Sequence, residues 1–234
     1  MRKYWLVLLT GFHLLSGELC AQKVLFVGNS LTYSNKMPQT LESLARENGH
    51  LLATHCLCYP NYGLEDHLND KQLTKELAKD TYNFVIFQQG PSSQAYGRET
   101  LFRFGRQLAK LSEKNQAKPV YLMVWPSLTY YHTFDGVVKN YSEAADSNKA
   151  GLIALGTVWQ HIHESNAGFD LYGHDDFHPS SLGSLLEAIV ILAFIHEDLD
   201  IKTLKGATLR HHFDTPDRMH QFLGLIEESL LSSR

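Results

Sequence analysis

The sequence predicts an α/β domain, a three-layer α/β/α sandwich around one central, mainly parallel sheet of about five strands. Two observations lead there. Short continuous apolar runs recur along the chain, as strands covered on both faces require, and longer stretches with apolar residues at helical spacing lie between them. No Pro/Gly/Ser-rich linker, internal repeat or low-complexity tract separates these elements, so they belong to one domain.

The first strand is expected at 24–27, where Val24, Leu25, Phe26 and Val27 run without a polar residue until Gly28. A helix at 37–48 follows, with Met37, Leu41, Leu44 and Ala45 on one stripe. The second strand is expected at 51–57 and one long helix at 65–79. Phe84, Val85, Ile86 and Phe87 form the third strand, followed by a helix at 99–115. A fourth strand at 120–124, a helix at 134–150 and a weaker fifth strand at 151–155 complete the alternation. Two further helices are expected at 180–195 and 216–231. In an open parallel sheet, ligands bind beyond the carboxyl ends of the strands. That rule puts Ser30, Gly63, the 88–93 segment and the 125–127 segment on one rim.

Residues 1–21 have the pattern of an export signal: Arg2 and Lys3, a short apolar run, then a more polar exit ending at Ala21. The apolar part is far shorter than the roughly 20 residues that span a bilayer. The protein is therefore expected to be exported, periplasmic or extracellular, with 22–234 as a single catalytic domain. Cys20 offers a lipid-anchor alternative, but Leu19 before it is not the small residue such a site prefers. The formal net charge is −4, and removing the leader's Arg2, Lys3 and Glu18 makes it one unit more negative. No basic block suggests a nucleic-acid surface. Cys56 and Cys58, two apart in an expected strand, are read as buried thiols rather than as partners in a disulfide, and a metal site would need more ligands than one strand face offers.

Ser30 stands at the strand-to-helix corner just after Gly28-Asn29, where a hydroxyl is exposed to substrate. A serine hydroxyl is a weak nucleophile unless a base removes its proton, and the base needs a partner to hold its tautomer. His178 is the candidate base, on a loop ahead of a helix opened by Pro179, Ser180 and Ser181. Asp175 is the candidate orienting carboxylate, with Asp176 as the alternative. A His174/His178 metal pair would need a helical stretch, which Pro179 opposes, so neither a metal nor a cofactor is expected. The pairs His161/His163 and His211/His212 read as scattered surface residues.

The elbow G-x-S-x-G is absent, because Leu31 and Thr32 follow Ser30. Gly28-Asn29-Ser30-Leu31 instead resembles the first block of the SGNH (GDSL-type) hydrolases, with Asn29 in place of aspartate, and Asp175-Asp176-Phe177-His178-Pro179 resembles their final D-x-x-H-P block. The resemblance implies a flavodoxin-like sheet order and a serine esterase with Ser30, His178 and Asp175 as its triad. It also implies an oxyanion hole built from the N–H of Ser30 and the N–H of Gly63, which matches the second-block glycine in Tyr59-Pro60-Asn61-Tyr62-Gly63. The third block, G-x-N-D, is altered. Gly90 matches its glycine, which puts Ser92 at the asparagine position, and Gln88 or Gln89 becomes the expected amide donor, Gln88 slightly favoured.

Aromatic residues crowd the expected rim, and Trp125, Tyr33 and Tyr62 are the expected substrate contacts. Polar aromatics suit a sugar. An exported esterase removing O-acetyl groups from carbohydrate is the leading expectation, with a small-molecule or glycan ester as its partner. A lipase or thioesterase of the same superfamily, a glycan-binding relative without turnover, and acyl transfer to a sugar are the alternatives.

Overall fold

The computed structural model describes residues 21–232. The expected export segment therefore lies outside the described residues, apart from Ala21. Five strands form one sheet: β1 (Gln22–Gly28), β2 (Leu52–Cys58), β3 (Phe84–Phe87), β4 (Lys118–Leu122) and β5 (Gly151–Ile153), in the order β2-β1-β3-β4-β5 with every neighbouring pair parallel. Val24 through Val27 have no exposed surface, and Phe87, Tyr121 and Leu122 are equally buried, which accounts for the uninterrupted apolar runs.

The helices follow from the strand order. The chain leaves β1 for β2 in one direction and returns past β1 to β3, β4 and β5 in the other. Right-handed crossovers then put α2 (Met37–Glu47) on one face and α3 (Leu64–Asn69), α4 (Gln72–Lys79), α5 (Ala95–Lys114) and α6 (Phe134–Asn148) on the other. The packing agrees: α8 (Ser181–Ile195) lies on α2, while α5 touches α3 and α6. α7 (Leu155–Glu164) packs against α10 (Pro216–Ser232), and the short helices α1 (Ser30–Tyr33) and α9 (Ala207–Arg210) complete the set. The reversal of direction between β1 and β3 opens a crevice at their carboxyl ends, and Ser30 sits there. Among the described residues, no helix is long and apolar enough to cross a membrane.

Four expectations need correction. The helix expected over 65–79 is two helices, broken at Asp70-Lys71: Lys71 takes a left-handed φ of 61°, and Asp70 Oδ1 accepts the Gln72 N–H at 2.8 Å, starting α4 anew. The fifth strand stops at Ile153, because Leu155 already belongs to α7, a helix whose apolar stripe Leu155, Val158, Trp159 and Ile162 was masked by the strand-like run before it. The fourth strand begins at Lys118 and so includes Pro119. Finally, Cys56 and Cys58 are half-buried and bonded to each other. Alternate strand residues share a face. On this edge strand their Cα atoms lie 5.3 Å apart, within disulfide range and closer than two residues of a fully extended strand.

Candidate active site

The corner after β1 is held from three sides. A Cβ on Gly28 would meet Thr32 Oγ1 at 2.8 Å and Gln88 Oε1 at 2.9 Å, so any larger residue would have to push these two side chains aside. Asn29 caps α1, its Oδ1 accepting the Leu31 N–H at 3.0 Å while its Nδ2 donates to Tyr62 O at 2.9 Å. The Asn29 N–H donates to Gln88 Oε1 at 3.0 Å. His67, fully buried on α3, contacts Gly28 O through Nε2 at 2.9 Å. Burial lowers its pKa, so the ring is neutral, and facing a carbonyl it carries its proton on Nε2 and donates. Sequence reasoning missed His67, although its place three residues after Leu64 on an apolar helix face was a signal.

On this support the Ser30 hydroxyl meets His178 Nε2 at 2.8 Å, and His178 Nδ1 meets Asp175 Oδ2 at 2.5 Å. Because Nδ1 must carry the proton to bond a carboxylate, Nε2 is left as an acceptor for the serine. Asp175 Oδ1 also accepts the N–H groups of His178 (2.9 Å) and Phe177 (3.2 Å). The hydrogen bond from His178, helped by these two amides, holds the Asp175 carboxyl down at about 2. Asp176, the alternative carboxylate, sits at the hairpin tip with φ 58°, and among the described residues its side chain makes no hydrogen bond.

The hairpin that carries Asp175 and His178 is fixed in turn. Tyr172 pairs with Pro179, Gly173 N–H donates to His178 O at 2.7 Å, and Ser180 N–H donates to Leu171 O at 2.8 Å. Beneath it, Trp125 Nε1 donates to Phe177 O at 3.0 Å, and its ring stacks on Trp159 with centroids 3.6 Å apart. Trp125 is fully buried, which corrects its expected place as a substrate contact. Following a strand directly, it continues inward and holds up the hairpin. Tyr33, the last residue of α1, is exposed, and the half-buried Tyr62 ring packs at an angle against Tyr59 and edge-on against His67.

The five expected oxyanion residues separate by what their donors already do. The Ser30 N–H makes no hydrogen bond among the described residues. The Gly63 N–H donates to Asp66 Oδ2 at 2.8 Å. Gln88 is buried, its carbonyl oxygen accepting from the Asn29 N–H and the Thr32 hydroxyl, and its Nε2 is buried with no partner among the described residues. Ser92 is buried too, its hydroxyl donating to Gly90 O at 2.8 Å. Gln89 lies flat against Gly63, its Oε1 accepting the Leu64 N–H at 2.8 Å and thereby leaving Nε2 an uncommitted donor beside Gly63. The Tyr141 hydroxyl, donating to Gln89 O, fixes the backbone behind it. The balance thus shifts from Gln88, which holds the corner, to Gln89. Among the described residues, no group of three or more His, Cys, Asp or Glu side chains is gathered to hold a metal ion.

No family model matches the chain, and no curated protein matches it. Among solved structures it is similar to a putative SGNH hydrolase from Slackia heliotrinireducens, with 26% identity over 75% of this chain and all of that one, and a TM-score of 0.64. A DUF4886 family protein from Bacteroides uniformis matches 92% of this chain and 96% of its own, with 15% identity and a TM-score of 0.77. An acetyl xylan esterase from Geobacillus stearothermophilus matches 76% of this chain and 96% of its own, with 13% identity and a TM-score of 0.59. The last two, at such identities, speak to the fold.

Proposed function

We propose that the chain is a divergent SGNH hydrolase, a serine hydrolase acting on ester bonds, and that it removes short acyl groups, acetyl above all, from carbohydrate outside the cytoplasm. The observation that carries this reading is the contact of the Ser30 hydroxyl with His178 Nε2, backed by Asp175 on Nδ1. Ser30 is the nucleophile, His178 the general base and then the general acid, and Asp175 the group that holds the imidazole in the accepting tautomer. His178 takes the Ser30 proton as the oxygen attacks the ester carbonyl, and the imidazolium so formed faces a carboxylate. The oxyanion is received by the Ser30 N–H and Gln89 Nε2, with the Gly63 N–H available once Asp66 yields. His178 then protonates the departing sugar alkoxide oxygen, releasing it as a hydroxyl, and water repeats the sequence on the acyl-enzyme.

Three things support the choice of substrate. One fold neighbour is an acetyl xylan esterase. Tyr62 and Tyr33 flank the corner, and a sugar ring stacks on such faces. The pattern of residues 1–21 fits export. The test is hydrolysis of 4-nitrophenyl acetate, butyrate and octanoate and of an acetylated xylo-oligosaccharide, with Ser30→Ala beside the parent. Acetate selectivity lost in the variant is expected. Preference for octanoate would turn the reading toward a lipase, and turnover surviving Ser30→Ala would remove the serine from the mechanism.

A further inference from the structure

We propose that Asn35 is a positioning residue for the Ser30–His178 pair, pinning the segment after the nucleophile to the segment after the base; this rests on the roles given to those two residues above. They lie 148 residues apart in sequence and come from elements that share no strand pairing. Proton transfer demands that their contact be kept, and a displacement of about 1 Å can cost on the order of 100-fold in rate. Something must therefore hold the β1–α1 corner against the hairpin.

The Asn35 carboxamide does this. Its Nδ2 shares two N–H groups among three acceptors, Pro179 O at 2.8 Å, Ser180 O at 3.0 Å and Ser184 Oγ at 2.9 Å, and Pro179 is the residue next to His178. On the other side, the Ser34 hydroxyl donates to Ser30 O at 2.6 Å, and Ser184 Oγ donates to Ser34 O at 3.3 Å. Among the described residues, the three Asn35 contacts, the Ser184–Ser34 bond and the Ser30–His178 contact are the hydrogen bonds that join residues 29–36 to residues 170–184, and the Ser34–Ser30 bond braces the first stretch internally. The backbone is bent to make them: Asn35 and Lys36 take consecutive left-handed φ values of 52° and 59°. Asparagine tolerates that region better than most residues. That tolerance offers a rival explanation, in which Asn35 serves the turn alone.

Asn35→Gly separates the two. Glycine adopts a positive φ freely and keeps the turn, but it has no carboxamide. Expected are a Tm within a few degrees of the parent, an unchanged KM for 4-nitrophenyl acetate and a kcat lower by about 10–100-fold. Asn35→Asp, equal in shape but facing two carbonyl oxygens with a carboxylate, should be at least as slow. A parental kcat in Asn35→Gly overturns the proposal, whatever happens to Tm. Should the parent hydrolyse no ester at all, the functional reading fails instead, and crystal structures of parent and Asn35→Gly still test the pin. Separation of Ser30 Oγ and His178 Nε2 in the variant supports it, and retention of the parental contact overturns it.

Discussion

Substituting the two adjacent glutamines should damage different properties. Gln89→Glu keeps an oxygen for the Leu64 N–H, now 2.8 Å from Gln89 Oε1, and replaces the free Nε2 by a second carboxylate oxygen. The fold loses nothing it uses, whereas the oxyanion loses a donor and gains a repulsive neighbour. Removing one such donor typically costs about 2.7–4 kcal/mol, so kcat should fall by at least about 10²–10³-fold with little change in Tm. Gln88→Leu removes the acceptor of the Asn29 N–H (3.0 Å) and of the Thr32 hydroxyl (3.3 Å). An unsatisfied donor costs roughly 1–3 kcal/mol, offset in part because the buried, partnerless Nε2 disappears as well. At roughly 2–4 °C per kcal/mol for a chain of this size, a Tm loss of several degrees follows. Thermal melts and 4-nitrophenyl acetate kinetics on both variants decide the matter. Gln89→Glu with parental kcat, or Gln88→Leu with parental Tm, would refute the assignment of donor to one glutamine and scaffold to the other.

Asp175→Asn should lower kcat by up to about 10⁴-fold by releasing the imidazole into the wrong tautomer, while Asp176→Asn, whose carboxylate bonds nothing, should stay near parental; the reverse ranking would exchange their roles. Acid should expose the same carboxylate in stability: its native pKa of about 2 lies below the ordinary 3.8. Its contribution is therefore full above the ordinary value and is lost as pH falls from there through about 2. It should be small, since half the side chain is in water, and a urea midpoint that drops as steeply in Asp175→Asn as in the parent would contradict it. Glu187 shows the opposite linkage. It is fully buried in α8 with Oε2 unpaired, and burial alone drives its pKa well above the ordinary value of 4.5. The unfolded chain ionises it above that value and the native state does not, so it withdraws stability as pH rises. Glu187→Met should raise Tm at pH 8 more than at pH 4, and an equal change at both would refute this account.

The parts of this molecule that were legible in the sequence are those set by short stretches of chain. The apolar runs of β1 and β3 are buried on both faces and contain no polar residue, so their places could be read to within a residue or two. The backbone settings of Ser30 and His178 were also readable, because each sits in a local pattern that shapes its own chain path: a glycine corner before one, a proline-opened helix after the other. What could not be read depends on which surface a side chain meets after the chain has folded. Gln88 and Gln89 are neighbours of identical chemistry on alternate sides of a strand end, and only the position of Asn29 on one side and Leu64 on the other gives them different work. Trp125 follows a strand as Ser30 does, yet its indole turns in toward Trp159 because the core there has room for two stacked rings. Nothing in the local sequence singles out Asn35, whose three acceptors lie about 145 residues further along the chain. The backbone around Ser30 and around His178 was thus written locally, while the 2.8 Å contact between them joins stretches that no local pattern brings together.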